Sequence, residues 1–192
     1  VKEDQIDMLS LSAHKFNGPK GIGVLYAKTG VFLTNLIEGG GQERGKRAGT
    51  ENLPAIVGMA AALEEACSLQ KERSIYVTKL RDQLIDGLKK IPGALLNGDA
   101  TNRLPGNVNF CFPDTEAEGL LLLLDNKGIC ASSGSACTSG FLDPSHVLLA
   151  IGRDKETARG SLRLTLDYEN TPEEVETIIE AVTDTVRILR GC

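Results

Sequence analysis

Two side chains in this sequence have the chemistry that covalent catalysis requires. Lys15 ends a Ser-Ala-His-Lys run that follows an apolar stretch and precedes a Gly-Pro turn, and such a placement suits an amine that forms a Schiff base. Cys137 lies among serines, glycines, an alanine and a threonine, so its loop can move and expose a nucleophilic thiol. Taken alone, each also fits a solvated lysine or an incidental loop cysteine.

A glycine-rich polar stretch, residues 38–52, has the composition of a phosphate-binding loop. It combines backbone N–H groups with Arg44, Arg47 and Thr50, and a helix is predicted to begin directly after it. It is not a Walker A motif, because Arg47 stands where that motif requires Ser or Thr. An ordinary flexible loop has a similar composition, so the local sequence leaves both interpretations open.

Arg163 is the charged residue of an alternating strand whose other face consists of Leu162, Leu164 and Leu166. Arginine is the usual bidentate ligand of a carboxylate, which makes Arg163 a candidate anion-binding residue. A surface salt bridge is the alternative that the strand pattern leaves open.

The bulk composition of the 192 residues is that of a globular protein and argues against several other classes. Apolar residues make up 41%, charged residues 24%, and the net charge is −5, so we expect neither a nucleic-acid nor a membrane-bound protein. Five cysteines without a CxxC pair argue against a disulfide framework and for a reducing cytoplasm. Cys67, Cys111 and Cys130 are predicted to be small core residues. Two histidines without a Cys/His cluster argue against a zinc site.

Apolar periodicity predicts alternating strands and helices, a chain of the α/β or α+β class. Predicted strands cover residues 6–12, 21–28, 107–112 and 162–166, and predicted helices begin near residues 54, 76, 115, 144 and 171. Capping boxes are predicted at residues 115–118 and 171–174. A polar stretch at residues 68–74 predicts a domain junction within or beside a long helix. The chain begins with Val1 and enters a strand at once, which suggests a fragment or one half of a split protein.

Three segments, in order along the chain, resemble class I cysteine desulfurases, which are pyridoxal-phosphate enzymes of the aminotransferase class V family. Residues 12–26, Ser-Ala-His-Lys-Phe-Asn-Gly-Pro-Lys-Gly-Ile-Gly-Val-Leu-Tyr, resemble the segment of the cofactor lysine. Residues 39–52 resemble the phosphate-contacting loop, and residues 132–140, Ser-Ser-Gly-Ser-Ala-Cys-Thr-Ser-Gly, resemble the loop of the catalytic cysteine. The resemblance extends over essentially the whole chain and outweighs the local alternatives.

The resemblance implies a role for four residues in binding the cofactor, pyridoxal 5'-phosphate. Lys15 would hold the cofactor covalently and later transfer protons. Ser12 and His14 would contact its phosphate. Thr50 would reach the phosphate of the neighbouring subunit, so that a homodimer completes the site.

It also implies a reaction. Arg163 would bind the carboxylate of L-cysteine, and Cys137 would attack the substrate sulfur, keep it as a persulfide and release L-alanine. The sulfur would then pass to an iron–sulfur scaffold protein or to another acceptor. In some family members the loop cysteine also binds a cluster, so Cys137 is implied as a transient iron–sulfur ligand.

The implied fold is α/β: residues 1–70 as part of a fold-type I, aspartate aminotransferase-like large domain, and residues 71–192 as an α+β small domain. Family members are considerably longer, and the half absent here carries an aspartate at the pyridinium nitrogen, a ring-stacking histidine and a glutamine. Ala13 and Ala48 replace a common glycine and a common serine. Our hypothesis is the C-terminal portion of a cytoplasmic desulfurase. The alternatives are a catalytically incomplete fragment that only binds partners, and a selenocysteine or cystine lyase, which would need no mobile thiol.

Overall fold

The computed structural model describes Val1, residues 3–134 and residues 144–191. The chain divides into two compact units, Val1–Gln70 and Lys71–Cys192. The strands are β1 (Met8–Ser12), β2 (Gly23–Ala27), β3 (Leu95–Leu96), β4 (Asn107–Cys111) and β5 (Ser161–Thr165). The helices are α1 (Gln42–Gly45), α2 (Leu53–Leu88), α3 (Ala117–Asp125), α4 (His146–Ala150), α5 (Lys155–Arg159) and α6 (Pro172–Leu189).

In the first unit, β1 and β2 form an antiparallel pair joined through a 3₁₀ turn, Ala13–Phe16. The turn ends at Asn17, whose φ of 64° lies in the left-handed region that asparagine tolerates. It is also tightly closed, since a Cβ atom on Gly18 would lie only 2.9 Å from the Cβ of Ala13. The turn that presents Lys15 is therefore defined by its backbone.

The first unit lacks a hydrophobic core among its described residues. Its buried apolar residues are only Ala13 and Ala48, whereas Phe32 and Leu36 are 99% and 98% exposed. The prediction that Cys67 is a core residue is wrong for this structure, because its thiol is exposed. This unit thus has little burial to offset the entropy of ordering its chain.

We expect amide hydrogen exchange to separate two strand pairs of equal length. In the isolated chain, the amides that join β4 to β5 should exchange at least about 10³-fold more slowly than those that join β1 to β2, because only the former pair covers a core. Exchange followed by mass spectrometry measures both pairs in one sample. Equal protection of the two pairs would contradict this account of the first unit.

The second unit is built on the antiparallel sheet β3-β4-β5. Side chains alternate along β4 and β5 as predicted, and one face is buried in the core. That face carries Val108, Phe110, Leu162 and Leu164. Other core residues come from the second half of α2, from α3 and from α6, namely Leu80, Leu84, Leu88, Leu120, Leu124, Val175, Val182 and Val186. The opposite face carries Arg163.

One of the two predicted capping boxes is confirmed and the other is wrong. At α6, the Glu174 N–H donates to Thr171 Oγ1 at 3.2 Å, and the Thr171 N–H donates to Glu174 Oε2 at 3.1 Å. At α3, the Thr115 hydroxyl instead donates to the Phe112 carbonyl at 2.6 Å. The helix begins two residues later with Glu116 as its N-cap, without a side-chain cap.

The polar stretch at residues 68–74 does not interrupt the chain's longest helix. The structure has one helix, α2, where the sequence predicted separate starts near residues 54 and 76. Gln70, Lys71, Glu72 and Arg73 are good helix formers, so a loss of apolar residues there does not end the helix. The division between the two units lies within this stretch. The assignment of the first unit to a cofactor-binding domain and of the second unit to a small domain stays a prediction.

Candidate active site

The predicted cofactor lysine lies on the 3₁₀ turn between β1 and β2. Ala13 is fully buried and fixes the turn, while Ser12, His14 and Lys15 have exposed side chains. Although Ser12 is the N-cap residue of the turn, its side chain makes no capping hydrogen bond. The structure thus brings together, on one turn, a hydroxyl, an imidazole and an amine that can act on a ligand.

The predicted phosphate loop has an unusual backbone. Glu43 and Arg44, with φ values of 49° and 58°, are two successive left-handed residues that are not glycines, a conformation that costs about 1–3 kcal/mol for each residue. The loop is closed by the Gly49 N–H, which donates to Gln42 Oε1 at 3.1 Å. Thr50 follows this closure with an exposed side chain. Strain of this kind is concentrated at ligand-binding sites.

The donors of the first unit fit one part of the cofactor that the resemblance implies. Hydroxyls, an imidazole and backbone N–H groups are suitable ligands for a phosphate, and a lysine amine is the group that condenses with a carbonyl. Ser12, His14 and Lys15 share one turn, and Thr50 lies in the same compact unit on a separate loop. These residues fit the phosphate and carbonyl ends of pyridoxal phosphate.

Cys137 lies outside the described residues, but both segments that flank it are well defined. Ser132 forms an antiparallel bridge with Arg163, in which the Ser132 N–H donates to the Arg163 carbonyl at 3.0 Å. The Ser161 hydroxyl donates to the Ser133 carbonyl at 2.7 Å. On the other side, a Cβ atom built on Gly134 would lie 3.7 Å from the Cβ of Ser145. Gly134 and Ser145, which flank the cysteine segment on either side, therefore lie close together.

The guanidinium of Arg163 has no hydrogen bond or ion pair with any residue in the described parts of the chain. Its side chain is half-buried. In the same unit, Arg81, Arg103 and Arg153 all donate to carboxylate, amide or backbone oxygens. The salt bridge considered for Arg163 is therefore not found among the described residues. A partly desolvated cation without an acceptor is suited to bind an anionic ligand.

A polar network that was not predicted from the sequence lies on the Arg163 face of the sheet. Arg153 Nε donates to Asn97 Oδ1 at 2.7 Å, and Asn97 Nδ2 donates to Asn109 Oδ1 at 2.7 Å. The signal available in the sequence was the alternation of Asn107 and Asn109 with apolar residues along β4. Nothing local connects that pattern to Arg153.

Two of the remaining cysteine predictions have different outcomes. Cys111 is buried as predicted, and burial raises the pKa of its thiol, so it is a poor nucleophile. The prediction for Cys130 is wrong: it follows the end of α3 with an exposed side chain and does not contribute to the core. Cys130 and Cys67 are exposed thiols that can serve as controls for Cys137.

Comparison with known proteins identifies the family. The family model described as "Aminotransferase class-V" matches residues 1–178. The chain is 55% identical over 185 residues to "Cysteine desulfurase IscS" of Clostridium botulinum, covering 95% of this chain and 47% of that protein. It is 53% identical over 191 residues to "Cysteine desulfurase IscS" of Methanosarcina thermophila, covering 100% of this chain and 47% of that protein.

Solved structures agree with this result. A protein described as "NIFS-LIKE PROTEIN" matches with a TM-score of 0.87 and 37% identity, covering 98% of this chain and 48% of that chain. The likeness confirms the predicted α/β class, with part of a fold-type I large domain and an α+β small domain.

The part of the chain that the structure describes contains no helix of sufficient length and apolarity to cross a membrane. The chain spans about half the length of the curated relatives it matches. By its family match over residues 1–178 and its identity to these relatives, the chain belongs to the aminotransferase class-V family.

Proposed function

We propose that this chain carries the lysine, the cysteine and the substrate arginine of a pyridoxal-phosphate-dependent cysteine desulfurase. The reaction converts L-cysteine to L-alanine and leaves a persulfide on Cys137. The observation that carries the proposal is the unpaired, half-buried guanidinium of Arg163 on the strand that anchors Ser132 and Ser133, at the start of the cysteine segment. A guanidinium that can bind a carboxylate, next to a segment that contains a thiol, suits a small substrate with both a carboxylate and a sulfur atom.

Each residue has a defined task in this proposal. Ser12 and His14 donate hydrogen bonds to the cofactor phosphate, and Lys15 holds the cofactor and moves protons at its Nζ. When bound, pyridoxal phosphate supplies the electron sink for chemistry next to the amino group of the substrate. Arg163 binds the carboxylate through two parallel hydrogen bonds from its guanidinium, and this bidentate contact fixes the orientation of the substrate.

The sulfur transfer belongs to Cys137. Its thiolate forms a bond to the substrate sulfur while the substrate carbon–sulfur bond breaks. The electron pair of the broken bond stays with the carbon, which gains a proton to give L-alanine. The persulfide then passes its outer sulfur to an acceptor thiol or to a scaffold protein for iron–sulfur clusters, on which Cys137 is also proposed to bind the metal transiently.

The proposal includes a homodimer in the cytoplasm. The exposed apolar side chains of the first unit, among them Phe32 and Leu36, support an assembly that covers them, and Thr50 would reach the cofactor phosphate of the neighbouring subunit. The exposed thiols of Cys67 and Cys130 support a reducing compartment.

A second candidate is a catalytically incomplete piece that folds and binds partners without turning over L-cysteine. Two observations favour it: the chain spans 47% of the length of the desulfurases that it matches, and its first unit lacks a core among the described residues. Both candidates use the same second unit, and they differ in whether cofactor binds and sulfide is released.

Replacing Arg163 tests the proposal through the Michaelis constant. In the natural protein that contains this chain, Arg163→Ala should raise the KM for L-cysteine about 10- to 100-fold, because a charge-assisted hydrogen bond to the carboxylate is lost. Arg163→Lys should recover only part of this loss, since an ammonium group cannot bind both carboxylate oxygens. Sulfide release at varied L-cysteine concentration provides the measurement.

Arg187→Lys is the matched control, because Arg187 is an exposed arginine that pairs with Asp184 on α6. A KM that stays at the wild-type value in Arg163→Ala would contradict the role of this residue. Absence of sulfide release from the wild-type protein would favour the second candidate instead.

A further inference from the structure

The side chain of Asn109 lies on the same face of the sheet as that of Arg163. The strand register pairs Asn109 of β4 directly with Arg163 of β5. Both side chains are half-buried. Directly paired residues on one face of an antiparallel sheet have Cβ atoms about 4.5–5.5 Å apart, so the two side chains are neighbours.

The orientation of Asn109 is fixed by Asn97, which follows β3 on the side of β4 opposite to β5. Arg153 can only donate, so the atom of Asn97 that it contacts at 2.7 Å must be Oδ1. The Nδ2 group of Asn97 then faces Asn109 Oδ1 at 2.7 Å and Cys111 Sγ at 3.1 Å. Every polar atom of the buried Asn97 side chain is therefore engaged in one arrangement.

This arrangement determines which end of the Asn109 carboxamide remains available. Its Oδ1 accepts from Asn97, because turning the group over would set two NH₂ donors against each other. The Nδ2 hydrogens of Asn109 are left on the side away from Asn97, where β5 continues the sheet. Neither this NH₂ group nor the Arg163 guanidinium has an acceptor within the described ranges. Two neighbouring donors without an acceptor match the two oxygens of a carboxylate.

We propose that Asn109 is a second ligand of the substrate carboxylate, and that Arg153 and Asn97 position it by presenting its NH₂ group beside Arg163. The inference deepens the proposed function, on which it rests. Three side chains then determine substrate specificity as a relay: Arg153 orients the carboxamide of Asn97, and Asn97 orients the carboxamide of Asn109. Asn97 and Arg153 are positioning residues, and Asn109 is the member of the relay that touches the ligand, beside Arg163.

The test compares two ligands that differ only in the carboxylate. L-alanine and ethylamine share an amino group and a methyl group, but only L-alanine carries the carboxylate. Equilibrium binding of each to the holoenzyme, measured by spectral titration without turnover, gives a ratio of affinities. In Asn109→Ala this ratio should fall about 10-fold or more, with ethylamine binding unchanged, since one donor to a charged group is lost. In Asn109→Asp, which keeps the acceptor facing Asn97, it should fall further because a carboxylate would face the ligand.

The relay has a test of its own in Asn97→Asp. An aspartate at this position still accepts from Arg153, but it offers no donor to Asn109, so the Asn109 carboxamide turns its NH₂ group towards the new carboxylate. The affinity ratio should then fall as in Asn109→Ala, although Asn109 itself is present. Asn107→Ala is the matched control, because Asn107 lies on the same face two residues away and is paired with Thr165. Its ratio should stay at the wild-type value.

The outcomes separate this inference from the function on which it rests. An unchanged ratio in both Asn109 variants of an active desulfurase would overturn the role of Asn109 alone. Equal weakening of L-alanine and ethylamine would also overturn it, since it would indicate a structural role. A wild-type holoenzyme that binds L-alanine more tightly than ethylamine but releases no sulfide from L-cysteine would contradict the proposed function. The assignment of the carboxylate site would then still hold.

Discussion

Replacing Cys137 with alanine is expected to reduce sulfide release from L-cysteine by at least about 10³-fold, because the reaction loses its nucleophile and no other cysteine replaces it. Cys111 is buried with a raised pKa, so it cannot supply a thiolate. The cofactor should bind to the variant as it does to the wild type, since the groups that fit its phosphate lie in the first unit. Assays in the presence of a reductant measure the release.

Cys67→Ser is the matched control for this prediction. Cys67 is an exposed cysteine on α2, and its replacement should leave the rate within about two-fold of wild type, as is usual for surface substitutions. Cys130→Ser tests the exposed thiol that precedes the cysteine segment. Sulfide release that survives in Cys137→Ala but is lost in Cys130→Ser would move the nucleophile to Cys130.

Replacing Lys15 with alanine is expected to have a comparable effect on turnover, a loss of at least about 10³-fold, for a different reason. Lys15 both holds the cofactor and moves protons, and alanine does neither. The cofactor should also become removable by dialysis, and reduction with borohydride should no longer fix it to the chain. Absorption spectra before and after dialysis measure the retained cofactor.

Lys20→Ala is the matched control for Lys15. Lys20 is an exposed lysine in the same connection between β1 and β2, so a non-specific loss of positive charge would affect both variants. Cofactor that remains fixable by borohydride in Lys15→Ala, or that is distributed over several lysines in the wild type, would contradict the assignment of the cofactor lysine.

The elements that the sequence predicted best are those whose determinants are local. The start of α6 follows from Thr171 and Glu174, three residues apart, and the buried face of β4 follows from strict alternation. The same four-residue pattern fails at Thr115, where the hydroxyl donates to the Phe112 carbonyl and the helix begins one residue later than predicted, with Glu116 as its N-cap. The four-residue pattern alone does not determine at which residue the helix begins.

The candidate site shows the same limit at a larger scale. The pattern around Lys15 and the strand position of Arg163 are visible in the sequence, because each depends on neighbouring residues. The link from Arg153 through Asn97 to Asn109 joins residues 56 and 12 positions apart, and only the folded sheet brings them into contact. The exposure of Cys67 was mispredicted because a helical stripe shows that a face is apolar without showing what covers it.

Cys137 is proposed to receive the sulfur of L-cysteine, and locating that sulfur on the chain is the decisive experiment. The natural protein that contains this chain is mixed with L-cysteine without reductant, digested and analysed by mass spectrometry. Cys130 and Cys137 are separated by six small residues and stay on one peptide, so fragment-ion masses are needed to assign the sulfur. They should place one additional sulfur atom on Cys137, while Cys67 and Cys130 stay unchanged. Added sulfur on Cys67 or Cys130 instead, or on no cysteine while L-alanine accumulates, would contradict this proposal.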